Sequence, residues 1–239
     1  MFVATLSVLS VALFSASSAA LPWPGKQTYT PSSDLSKLAK LVPQSDLPIP
    51  DGQLKYVVLG IGTQNYTCTG SPDAAPGTTG ATATLYDIGT QLNNDPMAKW
   101  KIPSISPLAL SLSAYPVALD WSLKSQGYSN LIGHHFFASV NGAATPTFAL
   151  DQLPAPYPMA QVGKLNDTAA PATACPGLQG EGTVKWLYLK DLKGLSQGGI
   201  DTVYRLETAG GMAPATCKGQ PASFEVKYTA QYWIFGPKK

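Results

Sequence analysis

The chain has 239 residues, of which 13% are charged, and its formal net charge is +2. Because the basic residues form no stripe or cluster, the sequence lacks the electrostatic pattern of a nucleic-acid-binding protein. The 22 glycines and 21 prolines favour many turns and short strands over long solvated helices.

The N-terminus has the pattern of a cleavable signal peptide. No charged residue occurs from Phe2 to Phe14, and small residues follow, ending with Ser18 to Ala20. Signal peptidase accepts small residues at positions −3 and −1, and the apolar run is shorter than the roughly 20 residues that span a bilayer. We therefore predict a signal peptide over residues 1–20, cleavage before Leu21, and a secreted, extracellular or cell-wall protein. No later segment is apolar enough to predict a membrane span.

Residues 21–50 read as a Pro-rich lead-in to the folded domain. Apolar residues at helical spacing predict one short helix in this segment, with Ser33 as its N-cap and Pro43 at its end. Beyond it, residues 51–239 are predicted to form a single β domain.

Turn signals separate several segments of that domain whose composition is typical of strands. The predicted strands include Leu54–Leu59, Thr82–Asp87, His134–Val140, Thr147–Leu150, Val184–Leu189 and Ile200–Thr208. In the last strand, Phe224–Ile234, apolar and polar residues alternate, which indicates one buried face. The Pro/Ala/Gly-rich segment 153–182 is predicted to be a long loop.

Residues 88–132 are predicted to be an irregular insertion, since they contain four prolines. Within this insertion, Val117–Leu123 alternates and is predicted to pair in a sheet. Strands separated by turns, with hardly a helix between them, predict an all-β fold. The expected architecture is an antiparallel β-sandwich or barrel with long irregular loops and a short N-terminal helix.

The three cysteines are Cys68, Cys175 and Cys217. In a secreted chain an odd number of cysteines predicts one disulfide and one remaining thiol. The chain contains no CxxC pair, which argues against a zinc ribbon or a thioredoxin-type redox site. Two glycosylation sequons begin at Asn65 and Asn166. Asn166 is the better predicted acceptor because its sequon lies in the predicted loop, whereas Asn65 lies in an apparent strand.

Several motifs of this chain occur together in one known family. They are Leu59–Cys68, Ala83–Asp87, Gly133–Phe136, Trp186–Leu187, Val203–Arg205, Thr208–Gly211 and Tyr228–Trp233. With these motifs the chain resembles the secreted family filed as domain of unknown function 3455, in its fungal form, over nearly all residues after the predicted signal peptide. The resemblance implies no established activity, although fungal members are often labelled malate dehydrogenase.

The same resemblance implies a disulfide between Cys68 and Cys217, because both lie in segments that resemble the family. Cys175 lies in the predicted loop and is left free by this pairing. A bond between Cys175 and Cys217 is the main rival, since these two cysteines are closer in sequence and both lie in loop-like segments.

The residues argue against the malate dehydrogenase label. Gly60-Ile61-Gly62 follows a strand, but Asn65 replaces the third glycine of the dinucleotide-binding fingerprint, and the next residues favour more strand rather than a helix. A malate site also needs cations for two carboxylates, whereas Arg205 is the only arginine of the chain. We therefore predict no malate dehydrogenase activity and no cofactor.

The chain has two histidines, His134 and His135, which are candidates for a metal ligand or a general base. Neighbouring side chains of a strand point to opposite faces, so the pair is poorly placed to chelate one metal. We predict instead one hydrogen-bonded core histidine, one surface histidine and no metal site.

Glycoside hydrolysis requires two facing carboxylates, and the chain has only three glutamates: Glu181, Glu207 and Glu225. Asp87, Asp120 and Asp151 are possible partners. Because Glu207 and Glu225 lie on predicted strands beside Arg205 and Lys227, cross-strand ion pairs are the simpler interpretation. The sequence therefore assigns no catalytic residue.

The five tryptophans and 11 tyrosines are mostly explained by β-core packing, but aromatic rows also stack on sugars. Trp233 is the exception, because it falls on the polar-alternating face of the last strand. The sequence predicts a non-catalytic secreted or cell-wall protein that binds a surface ligand such as polysaccharide. The alternative is an extracellular glycan-active enzyme that uses Asp and Glu. Four residues are the candidate ligand contacts: His134, Trp233, Arg205 and Asp87.

Overall fold

The computed structural model describes residues 29–238. The strands are β1 (Gln53–Thr67), β2 (Gly77–Asp87), β3 (Leu131–Val140), β4 (Ala143–Ala149), β5 (Met159–Gln161), β6 (Gly163–Thr168), β7 (Trp186–Lys190), β8 (Thr202–Gly210) and β9 (Ser223–Gly236). The helices are a 3-10 turn (Leu38–Leu41), α1 (Gly89–Leu92), α2 (Ala98–Leu112) and α3 (Pro116–Ser125). The predicted signal peptide, residues 1–20, lies outside the described residues, as does the segment 21–28 that follows it.

All nine strands belong to one antiparallel sheet with the order β5-β4-β3-β2-β1-β9-β8-β7-β6. Its two edge strands, β5 and β6, are separated in the chain by Val162 alone, whose backbone N–H donates to the carbonyl of Pro146. Because β5 pairs with β4 and β6 pairs with β7, this short segment joins the two ends of the sheet. The sheet is therefore a nearly closed barrel, and the predicted all-β fold is confirmed.

The barrel has a core on each face of its sheet. Inward-facing side chains form the inner core, which includes Val58, Leu85, Ile132, Phe148, Val203 and Ile234. Outward-facing side chains of β1, β8 and β9 pack against the helices in a second core, which includes Leu59, Ile102, Ile105, Leu206, Trp233 and Phe235. The helices thus cover the middle of the sheet and leave the barrel interior to the strands.

Helix α2 covers β9 through polar as well as apolar contacts. Thr229 Oγ1 donates to the carbonyl of Ser106 at 2.7 Å, and Gln231 Nε2 donates to the carbonyl of Ile102 at 2.6 Å. Both side chains are fully buried. The last strand was predicted to bury one face only, and that prediction is wrong from Tyr228 onward because α2 supplies acceptors for its polar residues.

The predicted irregular insertion, residues 88–132, in fact contains α1, α2 and α3. Pro103 and Pro107 lie inside α2, where each interior proline costs about 3 kcal/mol. The apolar residues of α2 that pack against the sheet offset that cost. Val117–Leu123 was predicted as a strand and lies in α3, whose first residue, Pro116, occupies a position where a missing N–H breaks no helical hydrogen bond.

Two smaller predictions are also corrected. The short N-terminal helix is only a 3-10 turn that begins after Lys37, so Ser33 does not cap it. The predicted loop 153–182 contains β5 and β6, because these short strands complete the barrel. Asn166 therefore lies exposed on an edge strand rather than in a loop, and Asn65 lies half-buried on β1. Glycosylation of either asparagine stays a prediction.

The predicted disulfide between Cys68 and Cys217 is confirmed, with Cα atoms 5.7 Å apart. It links the end of β1 to the segment before β9. Cys175 is a half-buried free cysteine. Among residues 29–238, no helix has the length and apolar character needed to cross a membrane.

Candidate ligand-binding site

The interior of the barrel is filled at one end and hollow at the other. The closed end is packed by aliphatic side chains such as Val58, Val203 and Ile234. The open end contains a cavity of about 580 Å³, and every strand except β5 contributes to its wall. This volume lies within the range of small-molecule sites in proteins. Exposed side chains, including Lys164 and Met212, border the cavity, which opens to solvent.

Most of the cavity wall is apolar. Side chains from β3, β4, β7 and β9 supply this surface, together with Val184 from the loop before β7: Phe137, Phe148, Leu187, Leu189 and Tyr232. Such a wall favours an apolar guest, because burial removes apolar surface from water.

Glycines on β1 make room for the aromatic rings of the interior. Gly60 and Gly62 alternate with residues that face the helices, so both face inward. An ideal Cβ on Gly60 would lie 2.5 Å from the ring of Tyr232, which packs across this position. The Gly60-Ile61-Gly62 motif therefore serves close packing within a strand, and no helix follows it as a dinucleotide site requires.

Arg205 projects into the cavity from β8, between Tyr204 and Leu206, which face the helices. Its Nε and Nη2 atoms donate to the carbonyl of Lys185 at 3.1 and 2.8 Å. These are its only hydrogen bonds to described residues, and it forms no salt bridge with any of them. The guanidinium is therefore held in place by one edge while its other N–H groups remain available.

Two lysines at the rim of the cavity share one carboxylate. Asp167 accepts hydrogen bonds from Lys164 at 2.8 Å and from Lys185 at 2.6 Å, and these bonds lower the pKa of its carboxyl to about 2. The cavity wall therefore carries three cationic side chains, including Arg205, against one carboxylate. Its electrostatic balance favours an anion.

His135 lies in the wall as a neutral ring. Its Nδ1–H donates to the carbonyl of Thr147 at 2.9 Å, and the ring stacks on Phe148 with centroids 4.1 Å apart. Burial, together with a smaller effect of the Arg205 charge, lowers the pKa of His135 to about 4, although the hydrogen bond to Thr147 acts in the opposite direction. At neutral pH the Nε2 atom is therefore an unprotonated hydrogen-bond acceptor.

Gln64 is the polar residue of the wall without a partner. Its side chain is only 6% exposed, yet it forms no hydrogen bond of ordinary geometry with a described residue, and its Nε2 atom is buried and unsatisfied. It lies close enough to Tyr228 to influence the pKa of that hydroxyl, which instead pairs with the Tyr232 hydroxyl at 2.7 Å. An unpaired buried amide costs about 1–3 kcal/mol unless another group satisfies it.

Of the four candidate contacts predicted from the sequence, only Arg205 lines this cavity. His134 faces outward and contacts Asp151 through Nδ1 at 2.8 Å, opposite to the inward-facing His135. Asp87 is buried at the end of β2 and accepts a hydrogen bond from the Tyr29 hydroxyl at 2.6 Å. It thereby fastens the N-terminal segment to the barrel.

Trp233 is fully buried beneath the helices, so its predicted place on an accessible polar face is wrong. The exposed tryptophans among the described residues are Trp100 on α2 and Trp121 on α3. The face of β9 that carries Trp233, predicted as a candidate surface for stacking on sugars, is therefore covered by the helices.

The cross-strand ion pairs predicted for Glu207 and Glu225 do not form among the described residues. Arg205 donates to a carbonyl instead, and Lys227 donates to the carbonyl of Ser113 at 3.2 Å. Glu207 has φ of +46° at a bulge in β8, and burial raises the pKa of its carboxyl. Over residues 29–238, no group of three or more His, Cys, Asp or Glu side chains is arranged to hold a metal ion.

Gln64 and His135 were not predicted from the sequence as residues of a cavity. Their signal is the alternation of each strand: Gln64 shares the inward face of β1 with Val58 and Gly60, and His135 shares that of β3 with Phe137. A polar residue at an inward position is informative once the face is known.

The fold and this site together define a class of protein: an antiparallel β-barrel with an open, mostly apolar internal cavity. The chain belongs to the family described as Protein of unknown function (DUF3455), whose model matches residues 48–236. The matched residues include all nine strands and the three α-helices. Neither a curated protein nor a solved structure matches the chain significantly.

Proposed function

We propose that this protein is a secreted, non-catalytic binding protein that holds a small, mostly apolar molecule inside its barrel. The observation that carries this proposal is the cavity of about 580 Å³ at the open end, with its apolar wall and few polar groups. Pockets of this size and composition bury most of the surface of a small ligand.

Secretion is supported by two independent features. The sequence of residues 1–20 has the pattern of a signal peptide. The disulfide between Cys68 and Cys217 suits an oxidising compartment, where such bonds form and persist.

The cavity gives less support to the functions predicted first. A polysaccharide would need an accessible aromatic row, whereas Trp233 is buried and the aromatic side chains of the site face inward. A glycan-active enzyme would need two facing carboxylates, whereas Asp167 is the only carboxylate in the described cavity wall.

Binding is tested with N-phenyl-1-naphthylamine, a neutral dye that fluoresces in apolar surroundings. The wild-type protein is expected to bind it saturably at one site. Ala81→Phe places a ring inside the cavity and is expected to weaken dye binding about tenfold or more through steric overlap. Thr82→Phe is the matched control, since this neighbouring side chain is exposed on the outer face of β2.

A second pair of variants protects the test against misfolding of the first. Thr78→Trp adds bulk at the exposed mouth of the cavity, and Thr79→Trp adds the same bulk beside it, outside the wall. Only Thr78→Trp is expected to weaken dye binding. The proposal fails if the wild-type protein binds no dye saturably, or if all four variants bind it equally.

A further inference from the structure

We infer that the ligand of the open end is an apolar molecule with one carboxylate, and that Arg205 binds this carboxylate. The inference rests on the proposed function and adds the chemical class of the ligand. It starts from the charge of the wall, where Lys164 and Lys185 already share Asp167 while Arg205 has no carboxylate partner among the described residues.

The geometry of Arg205 suits a planar anion. Of its five N–H groups, one on Nε and one on Nη2 donate to the carbonyl of Lys185, which leaves the Nη1 side of the fork unpaired. A guanidinium that is already anchored loses little rotational freedom on binding. Its free edge matches the two oxygens of a carboxylate in a bidentate hydrogen bond.

The charge of this guanidinium also acts on side chains of the neighbouring strands. Its charge lowers the pKa of the hydroxyls of Tyr66, Tyr228 and Tyr232, although burial has the larger and opposite effect on each. These tyrosines lie on β1 and β9, so the charge of Arg205 acts on the part of the barrel interior that these neighbouring strands form.

Gln64 supplies a second, independent indication of a polar group on the ligand. Its side chain is more than nine-tenths buried and lines the cavity, and its Nε2 atom lacks a hydrogen-bond partner of ordinary geometry among residues 29–238. Buried polar groups in native proteins are nearly always paired, so an unpaired donor on a side chain that lines the cavity predicts an acceptor on the guest, reached by rotation of the amide. A carboxylate has lone pairs for both Arg205 and Gln64.

Because Arg205 is the one cation without a carboxylate partner in the described, mostly apolar wall, the cavity favours a ligand with a single carboxylate. A dicarboxylate such as malate would bury its second charge against Phe148, Val184 and Leu189, at a high desolvation cost. The body of the ligand is therefore hydrocarbon, aliphatic or aromatic, and the acid group is at one end of it.

Titration calorimetry with two matched pairs of compounds tests this inference: decanoate against decan-1-ol, and 2-naphthoate against 2-naphthamide. Within each pair the apolar body is the same and only the acid carries a charge. For at least one pair, the wild-type protein is expected to bind the acid about tenfold or more tightly than the neutral compound, as a charge-assisted bidentate contact provides.

Arg205→Met is expected to abolish this preference while the affinity for the neutral compound and for N-phenyl-1-naphthylamine stays within about threefold. The retained dye binding shows that the variant barrel is folded. Lys193→Met removes the same charge from an exposed lysine outside the cavity wall, so it should keep the preference. Gln64→Leu is expected to reduce the affinity for the acid more than the affinity for the neutral compound.

Three results would overturn the inference: equal affinity for acid and neutral compound in the wild-type protein, a preference that survives in Arg205→Met, or an equal loss in Lys193→Met. If the dye and the neutral compounds still bind, the proposed binding function stands and only the carboxylate assignment fails. If the dye does not bind saturably either, both fail.

Discussion

The two ends of the barrel interior are built from the same strands but from different residues. Strand β1 presents Val58 at the closed end and Gln64 at the open end, and β8 presents Val203 and then Arg205. The closed end has complete apolar packing, whereas the open end leaves a cavity, an unpaired amide and an unpaired cation. The comparison shows that apolar packing occupies one end of the barrel interior, whereas the cavity that we propose as the binding site occupies the other.

The largest expected effect on stability comes from a substitution in the closed end. Leu85→Ala removes a fully buried inner-core side chain and should lower the free energy of unfolding by about 2–5 kcal/mol, because a buried cavity replaces packed atoms. Leu187→Ala, its matched counterpart in the wall of the open end, enlarges a space that already exists and should cost less than half as much. Urea denaturation measures both, and equal losses would contradict the division between the two ends.

A change of pH is expected to alter the stability of the protein through His135, which lies in the wall of the open end. Burial lowers the pKa of His135 from 6.5 to about 4, so below pH 6.5 the unfolded chain binds a proton that the folded barrel does not. The stabilisation from the neutral ring is complete above pH 6.5 and is lost as the pH falls to 4, an effect of about 3 kcal/mol. Arg205 and Tyr232 face His135 from β8 and β9, and burial raises the pKa of the Tyr232 hydroxyl well above this range.

The measurement is the free energy of unfolding at pH 7 and pH 4 for wild type, His135→Phe and His134→Gln. His135→Phe should lose about 3 kcal/mol less than wild type on acidification, since it has no proton to bind there. His134→Gln removes the contact with Asp151 on the outer face but keeps His135, so its loss on acidification should still include the His135 contribution of about 3 kcal/mol. An identical loss in His135→Phe would show that this ring does not set the acid sensitivity.

The smallest expected effect has opposite signs for stability and binding. Gln64→Leu removes a buried, unpaired amide and should raise the free energy of unfolding by about 1 kcal/mol. Gln53→Leu, on the same strand but outside the cavity wall, should give no such gain. Thermal unfolding of the ligand-free proteins checks this difference, and a destabilised Gln64→Leu would mean that the amide has a partner in the folded barrel.

Local patterns predicted the strands well, because a strand that alternates or is rich in β-branched residues needs no knowledge of its neighbours. The long strands β1 and β9 contain the predicted segments Leu54–Leu59 and Phe224–Ile234. The disulfide was implied by the family resemblance, and Cys68 and Cys217 do meet.

The helical layer was missed because its signals conflict locally. Pro103 and Pro107 argue against a helix, and α2 forms because it packs on β8 and β9. The burial of Trp233 depends on the same contact, since carbonyls of α2 accept from the polar neighbours Thr229 and Gln231. Likewise, the cavity exists only through the strand order, which brings Gln64, His135 and Arg205 from distant parts of the sequence to one end.

The position of β1 in the sheet has a consequence for biosynthesis. Its neighbours are β2, which follows it directly, and β9, with which it pairs from Gln53 opposite Gly236 to Thr67 opposite Ser223. The ribosome synthesises β1 long before β9. One edge of β1 therefore has no hydrogen-bonding partner until almost the whole chain has been made. Open edges of this kind recruit other chains. We therefore expect a chain that stops before β9 to aggregate during synthesis rather than to form a smaller barrel.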